Sequence, residues 1–203
     1  MALLCAASGA LAGPGCLDGG AGQEADVEVV AHPDDLDAGC VGDVRVIGAC
    51  GTPQVINKPE TSAKHIPDET PIVYPDVPPS SGDHRPAWGR WGEYTFLPPQ
   101  RWVHNLEHGG IALLYDPCVP TAVVDQLRAF AAGRAADDSG AFRYVLTPYP
   151  GLPTPVAAVA WEWTWLSECV DTASLGAFVD AHYRHAPEDF AADGSYSDGW
   201  IAR

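Results

Sequence analysis

Apolar residues recur along the second half of this chain with two periods, and the alternation between them sets out an order of elements. Ile111 to Tyr115 is a short run of branched and aromatic apolar residues, the signature of a strand. Thr121 to about Ala132 follows with Val123, Val124, Leu127 and Phe130 on one helical stripe, Thr121 as its cap and Gly133 as its stop. Tyr144 to Thr147 and Val156 to Trp165 read as strands, and Asp171 or Thr172 opens a second helix through about His182 with Leu175, Phe178, Val179 and Tyr183 inward. Strand, helix, strand, strand, helix predicts an α+β fold, a small and mostly antiparallel sheet with two helices on one face.

The first half has a different texture. Thr52 to Pro99 is polar and carries prolines at 53, 59, 67, 71, 75, 78, 79, 86, 98 and 99, which leaves no room for a long helix. Because it also holds His65, Tyr74, His84, Trp88, Trp91 and Tyr94, it reads as a long proline-rich ordered loop packed on the domain. Residues 13–51 read as an acidic flexible arm, with Arg45 its only basic residue and Val46 and Ile47 beside Cys50 belonging to the domain. These patterns divide the chain into a signal segment at 1–12, the arm at 13–51, one α+β domain at 52–190 and a loose acidic tail at 191–203.

Net charge of −16 repels phosphate backbones and argues against a nucleic-acid partner, whereas it suits cations. Ala2 to Ala12 is small and apolar, and Ala10-Leu11-Ala12 has the form of a signal-peptidase site, although no basic segment precedes it. The expected location is therefore secreted or cell envelope, with Cys16 a candidate lipid anchor and no transmembrane helix in the mature chain. Cys40, Cys50, Cys118 and Cys169 can form two disulfides in an oxidising compartment; three connectivities exist, and the pairs Cys40–Cys50 and Cys118–Cys169 need the least rearrangement.

The candidate chemistry lies in Trp102-Val103-His104-Asn105-Leu106-Glu107-His108-Gly109-Gly110. On a helix, residues four apart sit about 5–6 Å from each other, so His104, Glu107 and His108 share a face. On a strand the two histidines would be about 13 Å apart, too far for one zinc-like ion. The paired glycines favour a helix that ends before them.

Pro78-Pro79-Ser80-Ser81-Gly82-Asp83-His84, Gly92-Glu93-Tyr94, Val103-His104-Asn105-Leu106-Glu107-His108-Gly109-Gly110 and Tyr115, together with Lys64-His65-Ile66, Tyr74, Ala160-Trp161 and Ala186-Pro187-Glu188, resemble the bacterial domain-of-unknown-function family 3105. The likeness runs from about His65 to Glu188. Ser80 and Asp83 stand where that family often has threonine and proline, and Glu162 where glycine is common. The resemblance implies an exported or envelope-associated domain and brings no established activity.

Four histidines fall within these motifs. The leading expectation is one transition metal ion, zinc or copper, held by His104 and His108 from a short helical turn, with His84 and His65 arriving from the proline-rich stretch and Glu107 as ligand or tautomer-fixing acceptor. Methionine is absent apart from Met1, which argues against a copper(I) site. The competing readings are a metal-dependent hydrolase, with Glu107 as general base in the H-x-x-E-H manner and Glu188 as a distant third ligand, and a metal-free envelope interaction module whose histidines are structural. Trp161, Trp163 and Trp165 alternate, so one strand would present all three to the same side, as a core face under the second helix or as a sugar platform. No nucleophile elbow or phosphate loop is present, and the sequence names no protein partner.

Overall fold

The computed structural model describes residues 39–60 and 62–201. The signal segment, Cys16 and most of the acidic arm lie outside the described residues.

A seven-stranded mixed sheet forms the centre: β1 (Gln54–Asn57), β2 (Gly92–Tyr94), β3 (Ile111–Tyr115), β4 (Tyr144–Pro148), β5 (Val156–Ala160), β6 (Trp163–Ser167) and β7 (Trp200–Ile201), in the order β1-β6-β5-β3-β4-β2-β7. Four of its pairings are antiparallel; β4 runs parallel to both β3 and β2. The β3–β4 pair needs a crossover, and α2 (Thr121–Ala132) supplies it. With α1 (Pro99–Glu107) and α3 (Thr172–His182) the fold is α+β, but the described residues form three helices rather than two and a wider sheet than the strand signals alone suggested.

Helices cover both faces of that sheet. Val123, Val124 and Leu127 of α2 and Leu175, Phe178 and Val179 of α3 pack with Ile111, Leu113 and Trp165 on one side. Trp102, Val103 and Leu106 of α1 pack with Ala112, Leu114, Val145, Ala157 and Val159 on the other. This explains why β3 and β5 are continuous apolar runs: a strand buried on both faces has no solvent side to mark with polar residues. The expectation of helices on one face fails for that reason.

Helix ends follow the local chemistry closely. Asp171 caps α3, its carboxylate accepting from Ala173 N–H at 3.2 Å. Thr121, by contrast, is the first residue of α2 and makes no capping bond, because Pro120 already occupies the cap position. Val156 to Trp165 is two strands joined at Trp161-Glu162, where Glu162 takes a φ of 65°. The turn reverses the chain, so Trp161 packs on the α1 side while Trp163 and Trp165 face α3. Trp163 stacks on His182 at 4.4 Å and Trp165 Nε1–H donates to Ser174 at 3.3 Å, as a core face under α3 requires. Three aligned indoles therefore do not exist.

The disulfides join Cys40 to Cys118 and Cys50 to Cys169, with Cα–Cα separations of 4.6 and 5.2 Å, and correct the expected pairing. Residues 39–53 form no helix that could bring Cys40 back to Cys50; they lie along the domain instead, where Arg45 reaches Asp116 at 2.7 Å and the carbonyls of Leu152 and Pro153. Ile47 packs on the core as expected, whereas Val46 is exposed. The described part of the 191–203 tail also returns to the sheet: Asp193 accepts from Trp91 N–H at 2.8 Å, and β7 pairs with β2.

Each disulfide closes a long loop, with sequence separations of 78 and 119 residues. Replacing Cys50 and Cys169 together with alanine is expected to lower stability by about 2–5 kcal/mol in denaturant melts. Non-reducing peptide mapping should recover Cys40 with Cys118 and never with Cys50.

Candidate metal centre

Every residue of α1 is buried, although five of its nine are Gln100, Arg101, His104, Asn105 and Glu107. Buried polar groups need partners, and the irregular stretch before β2 supplies many of them. Arg101 reaches Asp68 at 2.8 Å and the Ala87 carbonyl at 3.1 Å. Asn105 clamps Gly89 twice, Oδ1 accepting from its N–H at 3.0 Å and Nδ2 donating to its carbonyl at 2.8 Å. His104 Nδ1–H donates to the Arg85 carbonyl at 2.7 Å.

Two prolines start this helix and two glycines end it. Pro99 lies in its first turn, where a missing N–H costs nothing. Gly109 has a φ of 80°, and Gly110 lies so close to Trp91 that a Cβ there would come within 2.4 Å of the ring. The helix therefore ends at Glu107 with His108 as its cap, and the short coil that the two-histidine spacing requires is present.

His65 and His84 arrive from the irregular stretch as a pair. They form a parallel bridge, Ile66 N–H donating to the His84 carbonyl at 2.8 Å and His84 N–H to the Lys64 carbonyl at 3.0 Å, so their side chains fall on one side. Asp83 reinforces the pairing by accepting from Lys64 N–H at 3.0 Å.

These elements bring His65, His84, His104 and Glu107 together, with one candidate ligand atom from each within 4.8 Å of every other. Glu107 Oε2 stands 3.1 Å from His84 Nε2, 3.8 Å from His104 Nε2 and 3.9 Å from His65 Nε2. Ligands about 2.0–2.1 Å from a tetrahedral zinc lie about 3.3 Å apart, so the His84 contact matches that spacing and the other two are somewhat longer. The four side chains could hold a metal ion.

His108 does not join them. It stacks on His104 with ring centroids 4.6 Å apart and planes 23° from parallel. His108 falls instead into a second group with Glu107 and Glu188. Of the expected ligands, the structure thus gathers His65, His84, His104 and Glu107 and separates His108. The H-x-x-E-H reading takes His104 and His108 on one ion, whereas the two fall into separate groups that share Glu107.

Protonation states follow from the partners. His84 Nδ1 lies 2.8 Å from the Gly82 carbonyl and His104 Nδ1 lies against that of Arg85; a carbonyl only accepts, so both Nδ1 atoms carry hydrogen. Each Nε2 then turns toward Glu107. Burial holds His104 neutral, its pKa down at about 4, and burial likewise lowers that of His108. For Glu107 burial opposes the charge, yet a hydrogen bond across the His84 contact outweighs it and keeps the carboxyl below its ordinary range, so in the metal-free protein a proton lies between the two groups. His65 is the open side of the group, its side chain 53% exposed.

The family described as Protein of unknown function (DUF3105) matches residues 65–194, more than half of the chain. This chain belongs to the DUF3105 family. No curated protein and no solved structure matches it. The matched DUF3105 region starts at His65 and contains His84, His104, Glu107, His108 and Glu188, so both groups lie within it.

Sequence reasoning gave no role to Arg85 and Asn105, and read Trp88 only as part of the loop packed on the domain. Arg85 is buried and donates to the carbonyls of Pro67 and Thr70, while its own carbonyl fixes the His104 ring. Trp88 packs against both His104 and His108, with centroids at 4.7 and 4.6 Å. Asn105 sits in the most informative motif, but a lone asparagine on a helix carries no sign of the backbone it will clamp.

Asn105→Ala should cost about 2–4 kcal/mol in urea melts, since it removes two hydrogen bonds and strands the buried N–H and carbonyl of Gly89. Acid should also weaken the metal-free fold. The unfolded chain binds a proton at His104 near pH 6.5 and the folded chain only near about 4, so stability is present above pH 6.5 and is lost as the pH falls toward 4. Thermal melts in chelator across that window should show the loss, and His104→Gln should flatten it.

Proposed function

We propose that this protein binds a divalent transition metal ion, zinc or copper(II), through Nε2 of His65, His84 and His104 and a carboxylate oxygen of Glu107. One observation carries the reading. His84 has committed Nδ1–H to a carbonyl, and its Nε2 lone pair faces a Glu107 oxygen at 3.1 Å in a site where His84 is buried. An acceptor facing an acceptor out of water is unfavourable unless a cation or a proton lies between them. Three imidazoles and one carboxylate are a donor set suited to zinc and copper(II), and the Nδ1 bonds to Gly82 and Arg85 are the outer contacts that orient ligating rings.

Binding, sensing or delivery of the ion fits this arrangement better than turnover. Glu107 lies among the imidazole nitrogens as a ligand would, whereas a general base stands off by the width of a water molecule. Two disulfides support an oxidising compartment, and with the signal-like N-terminus they favour an exported or envelope-anchored protein. No helix among the described residues is long and apolar enough to cross a membrane.

Zinc titration by calorimetry, with elemental analysis after dialysis, tests this reading. Wild-type protein should retain tightly bound metal. His84→Ala with His104→Ala should abolish that tight binding, and His65→Ala, at an exposed position, should weaken it by about 100-fold or more, beyond the 10–100-fold typical of a residue that only supports a ligand. His182→Ala, remote from the group, should change nothing. Metal-free wild type after loading and dialysis would refute the proposal.

A further inference from the structure

Glu107 belongs to two groups of candidate ligands, and the second is a site in its own right. We infer that His108, Glu188 and Glu107 bind a second divalent transition ion, making Glu107 the bridging carboxylate of a two-ion centre; this rests on the His65, His84, His104 and Glu107 site proposed above.

His108 provides the first argument. Its side chain is 5% exposed, yet neither ring nitrogen has a hydrogen-bond partner among the described residues. A buried imidazole with both nitrogens unmatched is costly unless something else meets them. Packing fixes where those nitrogens can act: His104 stacks on the ring, Trp88 lies at 4.6 Å and Phe190 at 5.3 Å, so ligands approach only in the ring plane.

Glu188 provides the second. Its N–H donates to the Glu107 carbonyl at 3.0 Å, which anchors the segment after α3 against the end of α1. That anchor holds its carboxylate 3.5 Å from His108 Nδ1. The nearby cations are already engaged, because Asp189 takes both Arg143 and Arg184. His108, Glu188 and Glu107 therefore offer one nitrogen and two carboxylates within 4.8 Å of one another.

Sharing Glu107 has a chemical consequence. Paired ions in carboxylate-bridged centres lie about 3.5–4 Å apart, a spacing within the span of one carboxylate. The first ion would have four protein ligands and the second three, one of them the half-exposed Glu188. The second ion therefore keeps an open coordination position for water and binds less tightly than the first.

The experiment titrates metal-free full-length protein with zinc and counts equivalents by calorimetry and elemental analysis. Wild type should take two, the second at least about tenfold weaker. Glu188→Ala, at a position exposed enough to leave folding intact, should lose the second equivalent alone, with the first affinity unchanged. His108→Asn should do the same, and its melting temperature checks that it folds. Loading with copper(II) gives an independent readout: two bridged spins should couple and lose electron-spin-resonance intensity in wild type, and the ordinary one-ion signal should return in Glu188→Ala. One equivalent in wild type, or two that survive Glu188→Ala, overturns this inference and leaves the first site standing. No bound metal at all overturns both.

Discussion

The structure is organised around a helix that is polar in sequence and buried in space. α1 carries Gln100, Arg101, His104, Asn105 and Glu107 into the interior while Trp102, Val103 and Leu106 face the sheet. An ordinary surface helix would leave its polar side in water. Here the stretch between β1 and β2 covers that side, and it is held there by the polar groups it serves. Arg85, Ala87 and Gly89 supply carbonyls to α1, and Gln100 returns its own carbonyl to Arg85 N–H at 2.8 Å. The irregular stretch and the helix thus solve each other's hydrogen-bonding problem, which is how so many prolines can sit on a buried surface.

The sheet explains why α1 can be placed so firmly. Its central strands are apolar on both faces, so α2 and α3 on one side and α1 on the other are all required to keep it from water. Arg128 of α2 reaches across to the buried Glu93 of β2, with contacts of 2.6 and 3.1 Å, and ties that layer to the strand just ahead of α1. At the other end, Gly109 and Gly110 feed directly into β3. A helix of nine residues fixed at both ends by the sheet has little freedom to rotate, and the directions of His104 and Glu107 are set with it.

Local chemistry made α2, α3, β3 and β4 legible in the sequence, because each has a stripe or run whose period agrees with its environment. The short strands β1, β2 and β7 were not legible: they have two to four residues each, and pairing with distant partners creates them. The break at Trp161-Glu162 was hidden for a related reason. Glycine would have announced the turn, but Glu162 adopts its φ of 65° while its carbonyl accepts from Lys58 and its carboxylate from Glu60 N–H. For the candidate site, spacing correctly predicted a short coil ahead of the paired glycines and failed at the next step. Residues four apart on a helix are neighbours, but neighbours can stack as well as converge, and the partners that decide between these outcomes, Arg85 O for His104 and Glu188 for His108, come from elsewhere in the chain. The disulfides repeat the lesson. Loop economy favoured a local bridge, whereas the path of residues 39–53 along the domain decided the actual pairs.

A purely structural role for the histidines has to meet one difficulty. In such a network each donor finds an acceptor, and the Nδ1 bonds of His84 and His104 do just that. Facing one another at the centre of the group are Nε2 atoms from two buried rings, a third from His65, and the carboxylate of Glu107. A proton on His84 would neutralise one contact, but it would leave His104, neutral down to about pH 4, still aimed at the same oxygen. One divalent cation satisfies all four at once. The same reasoning extends to His108, whose two unmatched nitrogens lie near the shared glutamate. Acceptors gathered where α1 meets the residues that cover it are what the proposed cation would balance.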